Sequence, residues 1–246
     1  MGVMTKPLIG GLSNPLIKSA RAGGVKQQRS GLTLKRKIVH IFMKLYFARH
    51  GESLANTLHI ISNRDLPHPL TLKGQDQARA LAARLRDKSI TRIYASPVPR
   101  AAETAAIIGG MLSMPVTTSD ALHEYDCGLL EGRGDTEAWD LHEQFIVDWL
   151  NGNRRDECPL GGESFEEIRD RFVRFIDSLV KDFGGSDENL LLVTHGGMLL
   201  LGLPHVLTNV DFPTARSLPL DNTIVITAEP TQGGLLCRAW GDKVLA

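Results

Sequence analysis

Residues 190–194 read LLLVT, a run with no alternation of polar and apolar side chains, and the chain then passes into His195-Gly196-Gly197. A strand that is apolar at successive positions is covered on both faces, so it belongs inside a sheet with layers packed above and below. Residues 44–48 (KLYFA) form a second such strand, followed by Arg49-His50-Gly51. Between these runs the apolar spacing becomes helical. Residues 74–87 place Ala78, Leu81, Ala82 and Leu85 on one face. Residues 92–96 (RIYAS) read as a short strand stopped by Pro97. Pro99 then opens an alanine-rich helix that should end near Gly109-Gly110. A helix is predicted over 137–150 and a stronger one over 164–183. In the latter, Ser164 and Glu167 form a capping box ahead of the stripe Phe165, Ile168, Phe172, Ile176, Leu179 and Phe183. Residues 223–228 and 235–239 read as closing strands joined through Pro230 and Gly233-Gly234. Strands alternating with helices indicate an α/β fold: a three-layer α/β/α sandwich around a mostly parallel central sheet.

Charge divides the chain unevenly. Residues 1–43 carry eight Lys and Arg and no Asp or Glu, leaving 20 basic against 28 acidic residues in the remainder. The basic stretch reads as a leader: a disordered arm, a targeting segment, or translation begun upstream of a natural start near Met43. Residues 44–246 are expected to form one domain, well within the usual size range. Its acidic balance argues against a general nucleic-acid partner. No segment approaches the roughly 20 apolar residues of a membrane helix; the nearest, 190–207, is broken by His195, two glycines and Pro204. Cys127, Cys158 and Cys237 are odd in number and form no CxxC, which disfavours a disulfide framework or a zinc site and makes a reducing cytoplasm the simplest location.

Ligands of open α/β sheets bind beyond the carboxyl ends of the strands. Three predicted strands end in polar residues: Arg49-His50, Ser96 through Arg100, and His195. Taken singly, a histidine or arginine at a strand end is more often solvated or capped. Together, two histidines and two arginines at one rim suit a compact dianion such as phosphate.

The segments ARHGESLAN (48–56), LTLKGQDQA (70–78), YASPVPRAAET (94–104), LHEYDCGLLEG (122–132), GGES (161–164) and VTHGG (193–197) occur in that order. The ordered set resembles the histidine phosphatase superfamily, the phosphoglycerate-mutase-like enzymes, from residue 44 to about 240. RHG alone would be a weak motif. The resemblance implies a phosphoglycerate-mutase-like fold and a phosphomonoesterase. His50 would be the nucleophile that forms a phosphohistidine, and Glu124 the proton donor. Arg49, Arg100 and His195 would hold the phosphoryl oxygens, with Asn56 as a further contact and Ser62, beside Asn63, in a loop that touches the substrate. Chemistry agrees with these roles. A nucleophilic imidazole must be neutral, and adjacent guanidinium groups lower its pKa. His195 would act best as a cation held charged by the phosphate, and a nearby dianion would keep Glu124 protonated for the first step. No DxD cluster or HExxH suits a metal, so no metal and no cofactor is expected.

Alternatives stay open at this level. Cys127 and Arg133 match the C-x5-R spacing of cysteine-dependent phosphatases, but Asp126 and Glu131 make the setting electronegative. A mutase would return the phosphoryl group to another hydroxyl; the 71 positions between Glu124 and His195 are compact and closer to the phosphatase branch of the family. A catalytically silent phosphate-binding module is the third possibility. Trp139, Phe145 and Trp149 are expected to pack a helix onto the domain rather than to stack on substrate. The small phosphorylated substrate and the oligomeric state are not readable from these residues.

Overall fold

The structure, a computed structural model, describes residues 43–64 and 66–245. Its sheet contains β1 (Lys44–Arg49), β2 (Arg92–Ala95), β3 (Val116–Thr118), β4 (Asn189–Thr194), β5 (Val225–Thr231), β6 (Gly234–Trp240) and β7 (Lys243–Val244). The spatial order is β3-β2-β4-β1-β5-β6-β7. Strands β1 to β4 pair in parallel, and β5, β6 and β7 add to the β1 side by antiparallel pairing. Strand β6 therefore points the same way as the parallel set, and the sheet is mostly parallel as expected.

Two cores flank this sheet because successive side chains on a strand point to opposite faces. Along β1, Leu45 and Phe47 enter one core while Tyr46 and Ala48 enter the other; along β4, Leu190 and Leu192 separate from Leu191 and Val193 in the same way. One of these cores is closed by α2 (Leu72–Leu85) through Leu81, Ala82 and Leu85, and by α3 (Pro99–Leu112) through Ala101, Ala105 and Ile108. The other receives α4 (Thr136–Leu150), α5 (Phe165–Phe183), α6 (Gly196–Val206) and α7 (Phe212–Ser217). The capping box of α5 is present, with Ser164 accepting from Glu167 N and the Glu167 carboxylate accepting from Ser164 N. Five residues, Leu54–Leu58, make a further helix, α1, capped by Ser53.

Several details depart from the sequence reading. Helix α3 runs through Gly109-Gly110 to Leu112. Pro230 lies within β5 rather than in the connection; β5 pairs with β1 only as far as Ala228, so the missing N–H of Pro230 removes no bond on that side. Pro204 sits in the last turn of α6 and the helix ends two residues later. Met43, assigned to the basic leader, is fully buried in the larger core. The rest of that leader, 1–42, lies outside the described residues. Among the described residues, no helix is long and apolar enough to cross a membrane.

Candidate active site

Strand β4 lies between β2 and β1, so the residues following the three strands meet at one edge of the sheet. The ladder carries on for one residue past the strands: His50 N donates to Thr194 O at 3.0 Å, and Ser96 N to Val193 O at 3.0 Å. This fixes the backbone beneath His50, Ser96 and His195. The turn after His50 requires glycine, since a Cβ on Gly51 would lie 2.5 Å from the carbonyl oxygen of Gly74 at the start of α2. Gly51 N is in turn held by Thr104 Oγ1 at 3.0 Å.

His50 is 2% exposed. Its Nδ1 lies 2.7 Å from the Gly51 carbonyl, which can only accept, so Nδ1 carries the proton and Nε2 keeps a lone pair. Arg100 Nε donates to that lone pair at 3.0 Å, and Arg100 Nη1 donates to the Ser62 carbonyl at 2.5 Å. Burial, then the charges of Arg100 and Arg49, holds the His50 imidazole well below its usual pKa. Burial likewise lowers Arg100, to about 10, which still leaves it charged at neutral pH. Arg49 donates through Nη1 to the Leu220 carbonyl, and its buried Nε has no protein partner.

His195 is fully buried 5.2 Å from His50, ring centroid to ring centroid, and does not itself line the cavity. Its Nε2 pairs with Ser96 Oγ at 2.8 Å, whereas Nδ1 has no partner. The expectation of a cationic His195 depended on a bound phosphate; the protein groups alone act the other way. Burial first, and then Arg100 and His50, lowers its pKa well below the usual value and leaves the ring neutral.

Glu124 is 8% exposed and accepts from Gly197 N at 2.9 Å and Tyr125 N at 3.2 Å. Burial raises its pKa above the ordinary carboxyl range and outweighs Arg100, the two amide bonds and Arg49, which all act in the opposite direction. Gly197 has no room for a side chain: its Cβ would stand 2.6 Å from Glu124 Oε1.

Arg49, His50, Arg100 and Glu124 line a cavity of about 270 Å³ together with Asn56, Ser62 and Asn63. The two weaker expectations are modified by local bonding. Asn56 Oδ1 accepts from Ser53 N at 3.1 Å as part of the α1 cap, and only the amide nitrogen of its side chain is left for a ligand. The Ser62 hydroxyl pairs with His68 Nδ1 at 2.7 Å, and its carbonyl serves Arg100. Trp139, expected to pack the domain, is half-buried and lines the cavity, while Trp149 is fully buried in the core.

Sequence reasoning missed Thr104, Tyr125, His142 and Asn222. Thr104 stands one helical turn after Arg100 and bonds both the Arg100 carbonyl and Gly51 N. Tyr125 follows Glu124 directly and bonds His142 through its hydroxyl. Asn222 donates to the His50 carbonyl at 3.1 Å, and nothing in its local sequence signals this. The C-x5-R pair does not assemble. Cys127 is buried, and burial followed by Glu131 and Glu124 pushes its thiol well up in pKa. Arg133 instead binds Asp135 and Glu137. Among the described residues, no group of three or more acidic, histidine or cysteine side chains is placed to hold a metal.

The family profile described as "Histidine phosphatase superfamily (branch 1)" matches residues 45–243. "Probable phosphoglycerate mutase GpmB" of Yersinia enterocolitica is 34% identical over 168 residues, 66% of this chain and 76% of that protein. Among solved structures, Bacillus stearothermophilus YhfR superposes with a TM-score of 0.70 at 27% identity, covering 82% of this chain and 98% of that one. The alpha-ribazole phosphatase of Shigella flexneri does so with a TM-score of 0.67 at 26% identity, covering 83% and 98%. The edge that gathers His50, Arg49, Arg100 and Glu124 thus lies within a match spanning the whole sheet, and the chain belongs to the histidine phosphatase superfamily.

Proposed function

We propose that this chain hydrolyses phosphomonoesters of small metabolites through a phosphohistidine on His50, without a metal ion. The observation that carries the reading is the bond between His50 Nδ1 and the Gly51 carbonyl, which leaves the Nε2 lone pair inside a cavity walled by Arg49 and Arg100. Arg100 Nε donates to that lone pair. A phosphoryl group draws the guanidinium onto its own oxygens and frees the ring to attack. His50 Nε2 then forms a bond to phosphorus as the bond to the ester oxygen breaks, and Glu124, whose pKa burial raises, gives its proton to the departing alkoxide. In the second half Glu124 takes a proton from water, the water oxygen attacks phosphorus, and the P–N bond breaks to restore His50. The equatorial oxygens are held by Arg49 and Arg100, with His195 behind them and the Asn56 amide at the rim. Ser62 contributes through its carbonyl, which orients Arg100. The same reading takes the protein to work in a reducing cytoplasm.

A quench of the protein with a labelled ester tests the reading. Acid-labile, base-stable phosphate is expected on His50 and is absent from His50→Ala; a parent protein that turns over esters without it does not use this mechanism. Phosphoryl transfer by a mutase is the second reading, favoured by the name of the 34% identical relative. Incubation with 3-phosphoglycerate, with and without a 2,3-bisphosphoglycerate primer, separates the two. The hydrolase releases inorganic phosphate, and the mutase gives primer-dependent isomerisation.

A further inference from the structure

We propose that the leaving group accepted by this cavity is uncharged with an apolar or aromatic face, and that esters carrying a second anion are disfavoured. This inference rests on the phosphomonoesterase reading and narrows its substrate class. Among the described residues, Arg49 and Arg100 are the cations that line the cavity, and both stand at the His50 end. A phosphoryl dianion uses both. The apolar part of the lining comes from Ile60, Ile61, Trp139, Ile146, Leu200 and Leu220. Trp139 is held in place: its Nε1 donates to the His59 carbonyl at 2.9 Å, and its ring stands edge-on to His142 at 5.1 Å. It can therefore meet a flat leaving group without losing much side-chain freedom.

The polar groups near Trp139 do not invite a second anion. Tyr125 and His142 bond each other, and burial lowers the pKa of His142, so that ring adds no positive charge. Glu143 also lines the cavity. Arg216, the nearest guanidinium to it, is committed to Glu143 Oε1 at 2.5 Å, so a substrate carboxylate would have to displace that partner and then lie beside it. The cavity of about 270 Å³ exceeds the volume on the order of 150 Å³ that takes up a benzene ring, so the ring and the phosphoryl group fit together.

The test uses the full chain with phenyl phosphate, 4-carbamoylphenyl phosphate and 4-carboxyphenyl phosphate. The two neutral esters are expected to agree in kcat/KM to within about threefold. The carboxylate should be about tenfold or more poorer, the scale of one like-charge contact near a protein surface, although its phenol is no worse a leaving group. Glu143→Lys should shrink that gap to less than about threefold by reversing the local charge. Trp139→Ala should raise KM for phenyl phosphate by about tenfold, yet shift product inhibition by inorganic phosphate by less than about threefold, since only the leaving group meets the ring. A carboxylate ester turned over as well as the neutral ones overturns the inference, as does a Trp139→Ala variant that weakens phosphate as much as ester. Absence of turnover with all three esters and of phosphate trapped on His50 would remove the underlying enzyme reading, and this inference with it.

Discussion

Arg100 offers a quantitative probe because it holds both His50, the proposed nucleophile, and the loop that carries Ser62. Its Nε engages the His50 lone pair and its Nη1 the Ser62 carbonyl. On binding, the proposed mechanism moves this fork onto two phosphoryl oxygens. A hydrogen bond to a charged group contributes about 1.5–3 kcal/mol, and lysine can replace only one arm of a parallel pair. Losing the second arm lowers kcat/KM by roughly 10- to 150-fold. One effect opposes this: without Nε, the His50 lone pair no longer has to be freed. That recovers part of one bond, while the fork makes two to the phosphoryl group, so the loss wins. The pH profile separates charge from geometry. In the proposed mechanism His50 reacts as the neutral ring, so activity should be present above its pKa and fall as pH drops through it. Burial is the main cause of its low pKa and Arg100 the next. Arg100→Met removes the charge, the pKa rises, and the acid limb of the profile moves to higher pH. Arg100→Lys keeps the charge and leaves the limb in place. Steady-state kcat/KM on phenyl phosphate, taken as the ratio of variant to parent at each pH, cancels ionisation of the substrate. A lysine variant within threefold of the parent, or a methionine variant whose acid limb stays put, refutes the role assigned to Arg100.

Other outcomes follow from the same geometry. Cys127→Ser should leave kcat/KM within about twofold, because a buried thiol with a raised pKa is unreactive; a large loss would revive the cysteine mechanism. Ser164→Ala removes the α5 capping box and should lower stability by about 1 kcal/mol in urea titration with kcat/KM unchanged. Gly197→Ala pushes a methyl group into the Tyr125 ring and Glu124 Oε1 and should cut kcat for esters with poor leaving groups more than for activated ones; an equal effect on both would detach Glu124 from proton donation. His205, flanked by Phe165 and Phe212, has its pKa lowered to about 4 by burial first and then by Arg169 and Arg155. Because the unfolded chain binds the proton first, its contribution is present above about pH 6.5 and is lost progressively as pH falls towards 4. His205→Gln should flatten the fall of Tm across that window.

What the sequence made legible tracks how far a signal is local. The apolar runs of β1 and β4, the period of α2 and the capping box of α5 are written in contiguous residues, and each lies within about two residues of its expected place. The elements not anticipated are short. Strand β3 has three residues at a sheet edge, α1 five and α7 six, too few to display a period. At the site, strand order put His50, Ser96 and His195 on one rim, and the ordered motifs supplied Arg100 and Glu124. The partners of those groups were hidden because they arise from distant loops: the Ser62 carbonyl under Arg100, Asn222 on His50, and the Tyr125–His142 pair. Trp139 packs against the larger core as expected, and it also lines the cavity. A tryptophan on an amphipathic helix reads as core, and only the placement of residues 59–63 opposite α4 turns that face into a wall of the cavity.

The other titratable groups of the site add no positive charge to its two buried guanidinium groups. Both histidines are neutral, since burial and two guanidinium groups disfavour a further positive charge. Glu124 is shifted towards its protonated form by the same burial. The fixed positive charges are Arg49 and Arg100; Glu124 acts on both, joined by Asp221 at Arg49 and Glu131 at Arg100. Arg100 lies against neutral acceptors, and Arg49 keeps an unpartnered Nε, so neither is compensated by a carboxylate bond. Each is therefore worth more to an incoming dianion than a surface arginine already paired in a salt bridge. In the proposed reaction a bound phosphoryl dianion would offset the positive field of the two guanidinium groups at His195 and favour its protonation. A second substrate anion would find no further Arg or Lys among the described residues that line the cavity.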